Sequence, residues 1–192
     1  MPKICCEPYL VTGVDEAGRG ALAGPVVAAS AVAHNHFHLK GLADSKLLSE
    51  KKREELFTQL VYELKDFSYC AVDHHTVDRI NIRQATLQAM RQAHQSLQGR
   101  TSLIIIDGID APIVGSIAQI KADRDVVVVS AASIIAKVVR DRIMMYYHQC
   151  YPLYRFDLHK GYPTELHRHL ISKHGLSPIH RTTYKVSLVL GD

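Results

Sequence analysis

The sequence lacks the marks of several protein classes. Its four cysteines have neither CxxC spacing nor a repeating frame, which argues against both a zinc site and a disulfide scaffold. No hydrophobic run approaches the length of a membrane-spanning helix, and the residues after Met1 lack the apolar core of a signal peptide. We therefore expect reduced thiols in a cytoplasmic protein without a membrane segment. The cysteines are Cys5, Cys6, Cys70 and Cys150.

Internal repeats, low-complexity tracts and linker-like stretches are also missing. The 192 residues are 47% hydrophobic and 22% charged, which is typical of an ordinary globular protein. A chain of this length is long enough to bury one sizeable core. We expect a single domain over residues 1–192, with a helical segment from about residue 150.

The charge of the chain is mildly basic. A formal net charge of +4, with 12 further histidines, indicates by itself only a weak preference for polyanions. The distribution says more, because most of the lysines and arginines fall on predicted helices and in the C-terminal third, whereas several acids fall near predicted strand ends. A basic surface around an acidic pocket suits an enzyme that binds a nucleic-acid backbone and cuts it.

One stretch, residues 14–20, places two adjacent carboxylates at the end of an apolar run. After Asp15 and Glu16, one alanine precedes Gly18, Arg19 and Gly20. In one interpretation this is a turn in which a carboxylate pairs with Arg19. In the other, the carboxylates hold a metal ion while the glycines let the backbone approach a ligand closely. Acids that arrive at matching places elsewhere in the chain would favour the second interpretation.

Hydrophobic periodicity predicts alternating strands and helices. Predicted strands include Leu10 and Val11, 26–32, 67–72, 103–106 and 113–120. Residues 103–106 are apolar on both faces, so we expect them to form a central strand covered on both sides. The first predicted helix begins at Glu50 after the cap Ser49. The second follows a short turn capped by Asp73 or Thr76 and ends at Gly99. The third runs from a loop at 126–129 to about Tyr147, and the last runs from Thr164 and Glu165 to Gly175.

Three histidines occupy alternate positions after the second predicted strand, at His34, His36 and His38. This spacing is compatible with a metal site. An exposed hairpin end is the favoured interpretation, because no carboxylate or cysteine joins them.

Further acids stand beside small residues at strand ends and loops. Asp107 precedes Gly108, and Asp123 and Asp125 come just before a predicted helix. If the first and fourth strands are neighbours, Asp15 and Asp107 lie side by side, and cations must offset their repulsion. Oxygen ligands select hard ions such as Mg²⁺ or Mn²⁺, and two such ions about 4 Å apart suit phosphodiester cleavage. Taken singly, Asp107 is equally typical of a strand-end turn and Asp123 of a helix cap.

Six motifs in order resemble a known family, the type 2 ribonucleases H, and within it bacterial ribonuclease HII. Each motif alone is weak, but the ordered set covers nearly the whole chain. The motifs are GVDEAGRG (13–20), DSKLLSEK (44–51), IDG (106–108), KAD (121–123), SAASIIAKV (130–138) and HKGYPT (159–164).

The resemblance implies an RNase H-like α/β fold, in which helices flank a mixed central β-sheet and the C-terminal part is helical. It implies four catalytic, metal-binding acids, which carry over to Asp15, Glu16, Asp107 and Asp123, with Asp15 bridging two ions. Asp125 is then a solvent or helix-start residue. Ala122 stands where the family usually has glycine, and it would cost about 1 kcal/mol if that position needs a positive φ.

The resemblance also implies the substrate contacts. Gly18, Arg19 and Gly20 are similar to the loop that recognises the 2′-hydroxyl at an RNA–DNA junction, so Arg19 is expected to face substrate. Tyr162 resembles the tyrosine that stacks on the sugar of the following deoxynucleotide. Ser45 and Lys46 look like phosphate contacts.

The implied activity is that of an endonuclease dependent on Mg²⁺ or Mn²⁺. It would cut the RNA strand of RNA/DNA hybrids and incise duplex DNA 5′ to embedded ribonucleotides, acting as a monomer and leaving 3′-hydroxyl and 5′-phosphate ends. Two alternatives stay open at this point. Another RNase H-like nuclease would share the acids but not need the Gly-Arg-Gly loop or the tyrosine, and a non-catalytic hybrid-binding module would use the acids structurally.

Overall fold

The computed structural model describes residues 9–42, 48–97 and 101–185. Five strands and six helices lie in these ranges. The strands are β1 (Leu10–Ala17), β2 (Val26–His34), β3 (Asp66–Val72), β4 (Leu103–Asp107) and β5 (Ser116–Gln119). The helices are α1 (Glu50–Glu63), α2 (His74–Gln95), α3 (Ala122–Asp125), α4 (Val127–Cys150), α5 (Phe156–His159) and α6 (Glu165–His174).

The five strands form one mixed sheet in the order β3-β2-β1-β4-β5. β1 pairs antiparallel with β2, and β2 with β3, whereas β4 lies parallel to both β1 and β5. The predicted hairpin of the first two strands and the mixed sheet are therefore confirmed. The first and fourth strands are neighbours, which is the condition for Asp15 and Asp107 to lie side by side. The carboxyl ends of β1 and β4 consequently meet at one edge of the sheet.

The prediction of a central strand at 103–106 is wrong in one respect. β1 occupies the centre, and only Ile106 of β4 is fully buried. The reason is the placement of the helices: α4 packs mainly on β1 and β2, and α2 mainly on β2 and β3. β4 thus lies toward the rim of the sheet, beside the short edge strand β5.

The long helix α4 begins earlier than its sequence suggests. The sequence assigns residues 126–129 to a loop that enters the helix, with a strand as the preference of their β-branched side chains, yet residues 127–129 form the first turn of α4. This turn lies directly against β1 at Gly13, where a Cβ atom would be only 2.4 Å from the backbone of Val128 and Val129. Tertiary packing on a strand without a side chain there overrides the local preference.

Several helix ends agree with the sequence signals. The hydroxyls of Ser49 and Thr164 accept hydrogen bonds from the first turns of α1 and α6, and Gly175 ends α6. Asp73 caps α2, which contains a break at Asn81 that separates a short first segment from the main helix. The predicted end at Gly99 falls outside the described residues.

The C-terminal part consists of helices and turns, as expected. A 3-10 turn (Pro152–Tyr154), α5 and α6 follow α4. Tyr154, Phe156 and Ile179 form a small buried cluster with Ala23 and Met144. This cluster joins the C-terminal part to the loop after β1. No helix in the described ranges is long and apolar enough to span a lipid bilayer.

Candidate active site

Three carboxylates from three different elements converge at one edge of the sheet. Asp15 lies near the end of β1, Asp107 ends β4, and Asp123 lies in the first turn of α3. One carboxylate oxygen of each lies within 4.8 Å of the others. The parallel pairing of Val14 with Ile106 makes Asp15 and Asp107 neighbours. The sheet register thus assembles a site from residues about a hundred positions apart.

The hydrogen bond of Asp107 fixes α3 against β4. Its Oδ1 accepts from the backbone N–H of Ala122 at 2.9 Å. Lys121, immediately before, adopts the left-handed conformation with φ 61° and ψ 30°. The positive φ therefore falls on Lys121 and not on Ala122, so the strain considered for an alanine at this position does not arise. Asp123 is buried while Asp125 is exposed, which agrees with the choice of Asp123 as the site residue.

Burial and mutual repulsion dominate the electrostatics of this carboxylate cluster. The pKa of Asp15 is raised well above its usual range, first by burial and then by the charges of Glu16 and Asp107, although a hydrogen bond from Ser133 opposes the shift. Burial also raises the pKa of Glu16, against the opposing effect of Arg19. Anionic oxygens held together in a low-dielectric site favour a cation between them.

The donor set fits a hard divalent ion. Asp15, Asp107 and Asp123 offer only carboxylate oxygens, which suit Mg²⁺ or Mn²⁺ better than zinc. Across residues 9–42, 48–97 and 101–185, no other group of three histidine, cysteine or acidic side chains has this closeness. His34 and His36 stack on each other at 5.4 Å, and His36 and His38 are exposed at the hairpin end. The interpretation of a histidine metal site is therefore not supported.

Glu16 lies beside the cluster but is not one of the three converging acids. Its Oε1 is 3.2 Å from Nη1 of Arg19, and the arginine side chain is 53% exposed. The structure thus contains the ion pair that the turn suggests by itself, and Arg19 faces Glu16 while it also lines the adjacent cleft. An incoming cation at Glu16 would compete with this arginine.

A cleft of about 280 Å³ opens next to the acids. It brings Tyr162 to the same wall as Gly18 and Arg19, although these are far apart in sequence. Gly20 is exposed beside it, whereas Ser45 and Lys46 lie outside the described residues. The lining residues are Glu16, Ala17, Gly18, Arg19, Arg53, Ser133, Ile134, Lys137 and Tyr162.

Two basic residues of the lining were missed by sequence reasoning. Lys137 Nζ lies 2.7 Å from Asp141 and 5.0 Å from the centroid of the Tyr162 ring. Arg53 lies 3.9 Å from the other oxygen of Asp141. Both belong to helices that the sequence predicts, but only the packing of α1 on α4 places them together. They bring positive charge, partly offset by Asp141, to the lining of the cleft.

Arg140 is fully buried and packs against Tyr162, which lines the cleft. Its guanidinium donates to the carbonyls of Ala23, Pro25 and Lys160, and lies 4.9 Å from the ring centroid of Tyr162. Burial lowers the pKa of this arginine. The sequence spacing contains a signal for this burial, because the buried residues Ala132, Ala136, Arg140 and Met144 follow one another at intervals of four along α4.

Arg181 fixes the backbone of the loop after β1. Its Nη1 donates to the carbonyl of Arg19 at 3.0 Å, and its Nε donates to the carbonyl of Gly24 at 3.1 Å. The Tyr184 hydroxyl donates to the same Arg19 carbonyl at 2.8 Å. The main chain of the Gly-Arg-Gly loop is therefore held from the C-terminal segment, while the Arg19 side chain remains exposed.

Comparison with known proteins agrees with this geometry. The family model described as Ribonuclease HII matches residues 12–187. Ribonuclease HII of Francisella tularensis subsp. mediasiatica is 43% identical over 183 residues, covering 94% of this chain and 98% of the relative. That of Coxiella burnetii is 44% identical over 178 residues, covering 92% and 88%.

The fold is also similar to that of a solved relative. The crystal structure of the ribonuclease H2 from Pyrococcus horikoshii OT3 matches with a TM-score of 0.78 and 31% identity, covering 92% of this chain and 94% of that one. The matched family span includes the three converging acids, the Gly-Arg-Gly loop and Tyr162. The chain thus belongs to the ribonuclease HII family and is a metal-dependent endoribonuclease of the ribonuclease H type 2 class.

Proposed function

We propose that the protein cuts the RNA strand of RNA/DNA hybrids and incises duplex DNA 5′ to embedded ribonucleotides, with two Mg²⁺ or Mn²⁺ ions. The products carry 3′-hydroxyl and 5′-phosphate ends, and the working unit is the monomer. The observation that carries the proposal is the convergence of three carboxylates within 4.8 Å, beside a cleft that presents a glycine loop and a tyrosine.

The acids have the role of ion holders in this proposal. Asp15, Asp107 and Asp123 hold the ions, and Glu16 completes the set in competition with Arg19. When bound, the ions activate a water molecule and neutralise charge on the leaving oxygen. No nucleophilic side chain is needed in this proposal.

The cleft contains the groups that recognition of a ribonucleotide requires. The 2′-hydroxyl is the group that distinguishes RNA from DNA along the sugar-phosphate chain, and contact with it needs close backbone approach. Gly18 and its neighbours supply that approach, and Tyr162 supplies a flat apolar face with a hydroxyl. Arg53 and Lys137, which both contact Asp141, suit phosphate groups of a bound strand. Ser45 and Lys46 are proposed as further phosphate contacts.

The test is an incision assay on duplex DNA that contains one ribonucleotide, with Mg²⁺ and with EDTA. We expect a single cut 5′ to the ribonucleotide with Mg²⁺, none with EDTA, and none for Asp107→Asn. An all-DNA duplex is the control substrate. Intact ribonucleotide-containing duplex in the presence of the ion contradicts the proposal, and cutting of the all-DNA control redirects it to another RNase H-like nuclease. Metal-independent hybrid binding without cutting indicates a binding module.

A further inference from the structure

Three buried histidines lie directly behind the turn that carries Tyr162. The rings of His159 and His167 stack with centroids 4.1 Å apart, and Nε2 of His167 lies 3.0 Å from Nε2 of His180. Phe156 contacts the rings of His159 and His167 edge-on, at 5.7 and 5.6 Å. None of these histidines reaches the carboxylate cluster, so the proposed chemistry does not explain them.

The hydrogen-bond partners fix the tautomer of each ring. The backbone N–H of Ser177 is a donor, so Nδ1 of His180, 2.8 Å away, accepts and the proton of the neutral ring is on Nε2. That Nε2–H donates to Nε2 of His167, which leaves the proton of His167 on Nδ1. Nδ1–H of His167 then donates to the carbonyl of Tyr162 at 3.0 Å. Each donor in this chain faces an acceptor.

His159 completes the arrangement on the other side of the tyrosine. Its Nδ1 accepts from the backbone N–H of Gly161 at 3.1 Å, and its Nε2–H donates to the carbonyl of Tyr154 at 2.8 Å. Burial lowers the pKa of His167 to about 3 and that of His180 to about 4, so both rings are neutral near pH 7. Imidazoles therefore hold the main chain both before and at Tyr162, while its ring faces the cleft.

We propose that His167 is a positioning residue for Tyr162, held in its Nδ1-protonated tautomer by His180. The backbone N–H of Thr164 also donates to the Tyr162 carbonyl, at 2.8 Å, so this carbonyl accepts one main-chain bond and one side-chain bond from the first turn of α6. The main-chain bond closes the turn, and in this proposal the histidine bond ties the turn to α6 and so sets where it lies relative to the cleft. The effect on cleavage rests on the proposed role of Tyr162 as the sugar-stacking residue.

Two near-isosteric substitutions of His167 separate positioning from stability. In His167→Asn the amide N–H₂ occupies the Nδ1 position and still donates to Tyr162, but the acceptor for His180 is lost. In His167→Gln the amide oxygen at the Nε2 position still accepts from His180, but the donor to Tyr162 is lost. Each variant removes one buried hydrogen bond, so we expect similar decreases in melting temperature.

Their kinetics on the single-ribonucleotide duplex are expected to differ. His167→Gln should lower kcat about tenfold with little change in KM, the effect of one lost buried hydrogen bond in the reactive complex, whereas His167→Asn stays within about twofold of wild type. In a Tyr162→Ala background, His167→Gln should cause no further loss. Equal kinetic losses in the two variants, or a loss that persists without the tyrosine, overturn the inference.

Failure of the proposed function is distinguishable from failure of this inference. If Tyr162→Ala cuts at the wild-type rate, the stacking role of the tyrosine is wrong. The positioning role is then decided by NMR, where the carbonyl ¹³C resonance of Tyr162 should move in His167→Gln and stay near its wild-type value in His167→Asn. An unchanged Tyr162 resonance in His167→Gln overturns the inference whatever the kinetics.

Discussion

Substitution of Asp107 by asparagine should abolish cutting and at the same time stabilise the metal-free protein. Asparagine keeps an oxygen that accepts from the N–H of Ala122, so the contact between β4 and α3 is preserved. It removes one negative charge from a cluster in which that charge raises the pKa of both Asp15 and Glu16. The same repulsion that makes the site bind cations opposes folding when no cation is present.

The expected gain follows from the geometry. Carboxylate oxygens within 4.8 Å repel by about 3.5 kcal/mol per fully ionised pair at an effective dielectric constant of about 20. The raised pKa of Asp15 means that proton uptake already relieves part of this repulsion. We therefore expect the free energy of unfolding of Asp107→Asn in EDTA to exceed that of wild type by about 1–2 kcal/mol.

Urea unfolding at pH 7, with EDTA and with saturating Mg²⁺, measures both effects. Mg²⁺ at about 100 times its dissociation constant should stabilise wild type by about 2.7 kcal/mol, and the variant much less. Asp125→Asn is the matched control, because this exposed acid lies two residues beyond Asp123 and its charge should not matter. If Asp107→Asn is less stable than wild type in EDTA, or gains as much from Mg²⁺, the electrostatic account of the site is refuted.

The remaining predictions concern the residues of the cleft that are proposed to recognise the ribonucleotide, and the buried histidines. Tyr162→Ala should lower kcat/KM on the single-ribonucleotide duplex by about 10- to 100-fold, since stacking contributes about 1–3 kcal/mol; a wild-type rate refutes the stacking role. Gly18→Ala should destabilise by about 2 kcal/mol or more in urea unfolding, because φ is +96° and a Cβ would lie 2.1 Å from a buried guanidinium, whereas Gly20→Ala, with open space around its Cβ position, should be near wild type. Two equally stable variants refute that difference. Acid should destabilise the protein through His167 and His180, whose folded pKa values are about 3 and 4. The unfolded chain protonates both rings below about pH 6.5 and the folded chain does not, so this stability is complete above pH 6.5 and falls by about 1.4 kcal/mol per pH unit for each ring toward pH 4. His180→Gln should remove one ring's contribution, about 1.4 kcal/mol per pH unit, from the measured slope, and an unchanged slope contradicts the assignment.

The sequence predicts well what is fixed by neighbouring residues. Ser49, Thr164 and Gly175 are found at the expected helix ends because caps depend on side chains within one turn. The hairpin of β1 and β2 is also confirmed. It could be predicted because two apolar runs separated by glycines leave few other arrangements. To predict the convergence of Asp15 with Asp107, one further inference is enough, namely that the two apolar strands that carry them are paired.

Features set by distant contacts could not be predicted in the same way. The early start of α4 depends on its packing against Gly13, and the positive φ at Lys121 depends on the bond between Ala122 and Asp107. The buried position of Arg140 depends on three carbonyls from two other segments. Composition and periodicity contain no information on these partners, since an arginine in a helix is normally solvent-exposed.

The Gly-Arg-Gly loop is held by a segment that is synthesised long after it. Arg181 and the Arg19 carbonyl that it binds are 162 residues apart, and the N–H of Gly24 bonds to the carbonyl of Ile179. Contacts of such high sequence separation cost closure entropy, and they cannot form before residues 179–181 have been synthesised. On the ribosome, the acids of β1 and β4 emerge well before the segment that holds the loop. If the Gly-Arg-Gly loop selects the substrate as proposed, a growing chain would hold its acids before it holds this loop in place, and discrimination would depend on the segment around Arg181.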